Sequence, residues 1–129
     1  MILLDTHVLL WMAGDPSRLS KPAHDSILRA RDSTGLAVAT ITLLELARFA
    51  EKRVLGIGSS VERFVNETTS RLVVKPMTPE IVGIAVRLPS TFPKDPADRV
   101  IAATAIAHGI PLVTADQKIR DSGAVRTIW

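Results

Sequence analysis

The chain has 129 residues, 47% of them hydrophobic and 22% charged, with two Trp, three Phe and no Tyr, a length and composition that exclude general disorder and lead us to expect one domain over 1–129. It contains no Cys, which removes disulfide scaffolds, thiol nucleophiles and cysteine-ligated zinc together. Sixteen Lys and Arg against thirteen Asp and Glu leave +3 and a pI near 9.8, a mild bias toward an anionic partner that many domains carry without binding one.

The opening run, Met-Ile-Leu-Leu-Asp-Thr-His, lacks a basic start and places Asp5 where a signal peptide needs apolar residues. No apolar run approaches the roughly 18 residues of a membrane span. A cytoplasmic protein without membrane contact is the expectation. Branched apolar runs at Met1–Leu4, Leu36–Thr40, Leu72–Lys75, Ile110–Thr114 and Val125–Trp129 read as strands, most of them too continuous to be half-exposed.

Helices are predicted between them. Ser20 with Pro22 opens one through about Arg31, and Thr40 or Thr42 opens another through Leu43, Leu46 and Ala50 to about Val54. Ser59 and Glu62 have capping-box spacing ahead of Phe64 and Val65, and Thr78 with Pro79 starts a helix ending near Pro89. Asp95, Pro96 and Asp98 open the clearest helix, which stops at Gly109. The segments Gly56–Ser60 and Ser90–Lys94 are expected to be the mobile ones, on Gly, Ser and Pro content. Alternation of strand and helix implies an α/β fold, a single-domain three-layer sandwich with a central parallel sheet of about five strands flanked by helices.

In open parallel sheets, ligands bind beyond the carboxyl ends of the strands. Asp5 directly follows the first strand, Glu45 lies early in the helix after the second, and Asp116 comes two residues after Thr114. Asp98 sits in the first turn of its helix, where a long connection can return it to the same edge. Two carboxylates about 4 Å apart repel by about 4 kcal/mol at an effective dielectric of 20, so four sharing a rim need a proton or a cation. Hard divalent cations prefer such oxygen donors and keep water for activation.

Each acid also fits a plain structural role. Asp95 and Asp98 have N-cap and N3 spacing, Glu45 is three residues after Thr42 as in a capping box, Asp116 fits the start of a turn through Gln117 to Asp121, and Asp5 fits a cap on the helix after Leu4. His7 reads as a packing or hydrogen-bonding residue. Trp11 and Phe49 read as core or partner contacts, and Arg48, Lys52 and Arg53 as either a solvated helix face or a phosphate track beside the acids.

What is missing argues against the main enzymatic α/β rivals. A receiver domain needs a phosphoacceptor Asp after its third strand, where this chain reads Val74-Lys75-Pro76, and a haloacid-dehalogenase-type phosphatase opens on Asp-x-Asp, where position 7 is His7. Neither a G-x-G-x-x-G nor a Walker-type phosphate loop occurs. A non-catalytic RNA- or protein-binding module is the alternative from another class.

Four blocks in order complete the reading: Leu4-Asp5-Thr6-His7-Val8-Leu9-Leu10-Trp11, Ile41-Thr42-Leu43-Leu44-Glu45-Leu46-Ala47, Asp95-Pro96-Ala97-Asp98-Arg99-Val100-Ile101-Ala102-Ala103-Thr104-Ala105, and Pro111-Leu112-Val113-Thr114-Ala115-Asp116. With them the chain resembles a PIN domain over nearly its whole length, in particular the VapC-type toxins of toxin–antitoxin pairs. The resemblance implies a metal-dependent endoribonuclease with Mg²⁺ or Mn²⁺ at Asp5, Glu45, Asp98 and Asp116. Thr6 and Thr114 would be supporting hydroxyls and Asp95 a supporting acid. It further implies an RNA substrate, a cognate antitoxin and a homodimer; Leu9, Trp11, Leu44, Phe49 and Phe64 fit groove or dimer contacts and core packing equally.

Overall fold

The fold was obtained as a computed structural model that describes residues 1–54 and 60–129, with the side chains of Arg53 and Val54 outside the described set. Apolar runs of two to four residues make the five strands: β1 (Ile2–Leu4), β2 (Leu36–Ala39), β3 (Val73–Lys75), β4 (Leu112–Val113) and β5 (Thr127–Ile128). All pairings are parallel and the spatial order is β3-β2-β1-β4-β5, so the chain works outward from β1 in one direction and then in the other. The strands are those expected, with their ends trimmed.

Seven α-helices are described: α1 (Thr6–Gly14), α2 (Lys21–Arg31), α3 (Thr40–Phe49), α4 (Val61–Thr69), α5 (Pro79–Arg87), α6 (Pro96–His108) and α7 (Gln117–Ser122). A 3₁₀ turn at Pro16–Arg18 follows α1, and a π-helical turn at Ala50–Val54 prolongs α3 to the predicted end. No helix among the described residues is long and apolar enough to cross a membrane.

Local chemistry sets the boundaries. Ser20 Oγ accepts from Ala23 N at 3.2 Å, Thr78 Oγ1 from Ile81 N at 3.2 Å, and Asp95 Oδ1 from Ala97 N at 3.0 Å, each satisfying an N–H that the first helical turn leaves open. Gly109 ends α6 at φ 62°, a conformation that costs a residue with a Cβ far more. Three expectations shift. The α4 cap is Ser60, which accepts from Arg63 N at 3.0 Å, one residue beyond the predicted Ser59. Helix α5 stops at Arg87, short of Pro89, because the residue before a proline avoids helical ψ. Residues after Asp116 form the helix α7 rather than a turn; its single buried side chain, Ile119, is too little to leave a periodic signal.

The period-two alternation of side chains splits the core between the two sheet faces. Ile2, Leu4, Leu36 and Val38 pack with Val8, Ile27 and Leu46 on one face. On the other, Leu3, Ala37, Ala39 and Leu112 meet Phe92, Ile101, Ala102, Ala105 and Ile119. Alanines on both sides of that contact let α6 approach the sheet closely. Helix α5 lies outside α6 and is joined to it by Ile81, Ala85 and Ala103. Strand β3, at the sheet edge, is an exception to the burial expected of most strands and leaves Val73 and Val74 exposed.

Candidate active site

Because strand order reverses between β1 and β4, the connections leaving those two strands diverge and open a crevice at their carboxyl ends. Asp5 leaves β1 at one side of that crevice, and Thr114 to Asp116 leave β4 at the other. Thr114 joins the sides: its hydroxyl donates to Asp5 Oδ2 at 2.7 Å and accepts from Asp116 N at 3.1 Å. Asp5 and Thr114 are both buried, so this clamp is shielded from competing water.

Glu45 reaches the crevice from the second turn of α3. The capping-box alternative is overturned: Ala39 occupies the α3 cap position without a side-chain bond, and Glu45 Oε1 instead accepts from Thr6 Oγ1 at 2.6 Å. Thr6 also contacts Thr42 Oγ1 at 3.1 Å, so the two threonines fix the carboxylate from beneath. Asp5 stands at the cap position of α1 but makes no side-chain cap bond there, which leaves its carboxylate to the crevice. Asp116 does cap α7, with Oδ1 accepting from Lys118 N at 2.9 Å and Ile119 N at 3.2 Å, while also lining the crevice. Asp95 does the same at α6, combining a helix cap with a place in the site wall.

A cavity of about 280 Å³ thus gathers Asp5, Glu45, Asp95, Asp98 and Asp116. None of the ion pairs among the described residues involves these acids. Burial, followed by the carboxylates of Asp95, Asp5, Asp116 and Glu45, pushes the Asp98 carboxyl up to about 7. Burial also raises Asp5, against the Thr114 hydrogen bond and the nearby His7, and raises Glu45 against the Thr6 hydrogen bond. The folded chain therefore holds negative charge in a place that resists it.

The guanidinium of Arg99, next in sequence to Asp98, is committed elsewhere. The Arg99 side chain donates to five backbone carbonyls: Pro93 from Nε at 3.0 Å, Ala85 and Leu88 from Nη1 at 3.2 and 3.3 Å, and Pro89 and Phe92 from Nη2 at 3.2 and 3.4 Å. These use all five guanidinium N–H groups. In the segment Ser90–Lys94, expected to be mobile, Arg99 bonds the carbonyls of Phe92 and Pro93 and the Phe92 side chain is buried. The other segment expected to move, Gly56–Ser60, falls outside the described residues apart from Ser60.

The donor set suits a hard divalent ion, being all oxygen and rich in unneutralised carboxylate. Among the described residues no three acidic or imidazole groups are gathered tightly enough to enclose an ion unaided. Donor chemistry and charge, rather than a preformed shell, favour a cation here.

A second cavity, of about 500 Å³, adjoins the first and shares His7 and Trp11 with it. Arg48, Lys52 and Phe49 line it together with Arg18, a residue with no pattern in the sequence to mark it. His7 is exposed between the two cavities, which corrects the packing half of its reading as a packing or hydrogen-bonding residue. Trp11 is half-buried, with Arg18 over its ring at 4.6 Å and Trp129 beside it at 5.8 Å. Of the other apolar candidates, Leu9 is buried, Phe49 pairs with Phe64 at 6.1 Å, and Leu44 is exposed. The Arg53 side chain is outside the described residues.

Comparison with known proteins gives one consistent family. A family model described as PIN domain matches residues 2–124. Ribonuclease VapC22 of Mycobacterium tuberculosis (strain ATCC 25618 / H37Rv) is 41% identical over 130 aligned positions, covering 99% of this chain and 98% of that protein. Among solved structures, VapBC2 from Rickettsia felis bound to a promoter DNA fragment aligns with a TM-score of 0.76 at 18% identity, over 98% of this chain and 97% of that one. DNA-bound VapBC from Salmonella typhimurium aligns at 0.73 with 21% identity and the same coverages. At those identities the structural likeness speaks to the fold alone.

Proposed function

The chain belongs to the PIN domain family, and on that footing we propose that it is the toxin of a toxin–antitoxin pair, an endoribonuclease that hydrolyses RNA phosphodiesters with a bound divalent cation. The observation that carries this reading is the gathering of Asp5, Glu45, Asp98 and Asp116 in one cavity, none of them held in an ion pair among the described residues. Asp5, Asp98 and Asp116 would hold Mg²⁺ or Mn²⁺. When bound, the ion supplies charge neutralisation at the phosphodiester and lowers the pKa of water.

The chain's own groups do the remaining work. Thr114 fixes the Asp5 carboxylate and, through the Asp116 amide, the spacing between the two walls of the site. Thr6 holds Glu45 by one oxygen, and Glu45 accepts the proton of the attacking water as its oxygen bonds to phosphorus. Arg48 and Lys52, outside the acids, take the RNA backbone. Water attack breaks the P–O3′ bond and leaves a 5′-phosphate and a 3′-hydroxyl.

A cognate antitoxin is the proposed protein partner, seated in the apolar cavity of about 450 Å³ where Leu9 and Met12 of α1 face Leu72. A homodimer is the proposed assembly, with the exposed Val82 and Val86 of α5 as its apolar surface, and sedimentation tests it. The decisive experiment on activity incubates the purified chain with RNA, with Mg²⁺ and with chelator, and maps the product ends. Cleavage only with metal, leaving 5′-phosphates, supports the reading. A 2′,3′-cyclic phosphate product or cleavage in chelator contradicts it. Intact RNA in every condition favours the non-catalytic binding module instead.

A further inference from the structure

We propose that the cleft beside the acids is a nucleotide subsite for single-stranded RNA: the Arg18 guanidinium and the His7 ring stack a base next to the cut, and Arg48 with Lys52 hold its phosphates. This rests on the ribonuclease reading, and it assigns a base-binding platform that the cleavage chemistry does not itself require.

Continuity comes first. The cleft shares His7 and Trp11 with the acidic cavity, so a strand whose phosphate sits among the carboxylates has its next nucleotide at this opening. Its volume of about 500 Å³ lies within the range of about 300–1,000 Å³ typical of small-molecule pockets. Charge comes second. Arg18, Arg48 and Lys52 line the cleft, and none is engaged in an ion pair among the described residues. The carboxylate that also lines it, Asp15, accepts from the Ser17 hydroxyl at 2.5 Å. Arg48 and Lys52 are four residues apart on α3 and its π-helical continuation, and both are exposed.

Shape comes third. Arg18 is held over the Trp11 ring at 4.6 Å, and Trp11 is braced in turn by Trp129. A guanidinium held against an indole offers its outer face to a base, as arginine planes do in single-strand recognition. The exposed His7 ring, 6.2 Å from Trp11, adds a second aromatic surface at the boundary with the acids. An acidic peptide would use the cations but not the stacking surface, and a duplex keeps its bases stacked internally, so unpaired RNA fits best.

The test measures binding of a short fluorescent single-stranded oligoribonucleotide to cleavage-disabled Asp116→Asn protein, alone and combined with Arg18→Ala, Arg18→Lys, Arg48→Ala or Lys52→Ala. We expect Arg18→Ala to weaken binding about tenfold, and Arg48→Ala and Lys52→Ala each to flatten the log–log salt dependence by about 0.7. Arg18→Lys keeps the charge and loses the plane, so it should bind as poorly as Arg18→Ala. With Asp116 intact, the same changes should raise KM while leaving kcat and the Mg²⁺-dependent rise in melting temperature in place. Unaltered binding in all four variants overturns the subsite, as does equal affinity of the parent for polyglutamate of matching charge. Wild-type binding by Arg18→Lys overturns the stacking platform. The binding arm needs no cleavage, so an inactive wild-type chain would refute the ribonuclease reading while the subsite is judged separately.

Discussion

Asp98 and Arg99 are neighbours in the first turn of α6, and they stand in opposite electrostatic situations. Arg99 has an acceptor for every N–H it owns, drawn from the end of α5 and the proline-rich segment after it. Asp98 has four other carboxylates around it and a carboxyl pushed up to about 7. The arginine spends its hydrogen bonds on the backbone and so holds the segment leading into α6 in place, while offering nothing to the acids one residue away. One position is satisfied by the fold; the other waits for something from outside. Substitution at the first should damage the fold and through it the site, whereas substitution at the second should damage function and relieve the fold.

The largest effect expected is on activity at the acids. Asp98→Asn or Asp5→Asn should lower RNA cleavage by roughly 10²–10³-fold or more in kcat, measured with metal saturating. In chelator, Asp98→Asn should melt at or above the wild-type temperature, since it removes a repelled charge. A clear drop in that melting temperature would break the comparison. Next comes Arg99→Ala, which strips donors from five carbonyls and should cost roughly 2–3 kcal/mol of stability, read by denaturant titration. Arg99→Lys should recover less than half of that loss, because a single ammonium has three donors and no planar fork.

A pH titration sharpens the contrast with a smaller effect. A carboxyl raised from 3.8 to about 7 binds its proton more tightly folded than unfolded, so stability contributed by that proton is lost as pH rises through this window. In chelator the melting temperature should therefore fall between about pH 4 and pH 7.5, by an amount worth about 1 kcal/mol once solvent screening at this half-exposed group is allowed for. On the proposed cation binding, adding Mg²⁺ at the upper end should reverse the fall, because an ion that binds only the assembled acids stabilises the folded chain. A flat profile would mean that the carboxylates are neutralised within the chain. Smallest of all, Thr114→Val should reduce cleavage by about threefold and leave the sheet intact, since it removes the clamp on Asp5 but keeps the buried shape.

The parts legible in the sequence are those whose cause is local or topological. Helix α6 announces itself through Asp95, Pro96 and Gly109, and the acids through their place after short buried strands. Glu45 was open to a capping reading because Thr42 lies three residues before it; Thr6, 39 positions away in sequence, decides the matter by taking its oxygen. Arg99 left no trace of its role, since its acceptors come together only when α5 packs on α6. Arg18 and His7 were hidden for the same reason: a 3₁₀ turn has no periodicity, and exposure of a helix residue depends on what stands opposite. The helix α7 escaped because six residues with one buried side chain carry no amphipathic pattern.

The clamp between Thr114 and Asp5 spans 109 positions of chain. Ribosomes deliver those ends many seconds apart at about 5–20 residues per second, and a chain interrupted before Thr114 has Asp5, Glu45 and Asp98 without the bond that seats the first or the fourth acid that closes the ring. An enzyme aimed at RNA is made beside a great deal of it. With Asp5 and Asp116 on either side of that span, the proposed site is whole only after synthesis has passed Asp116.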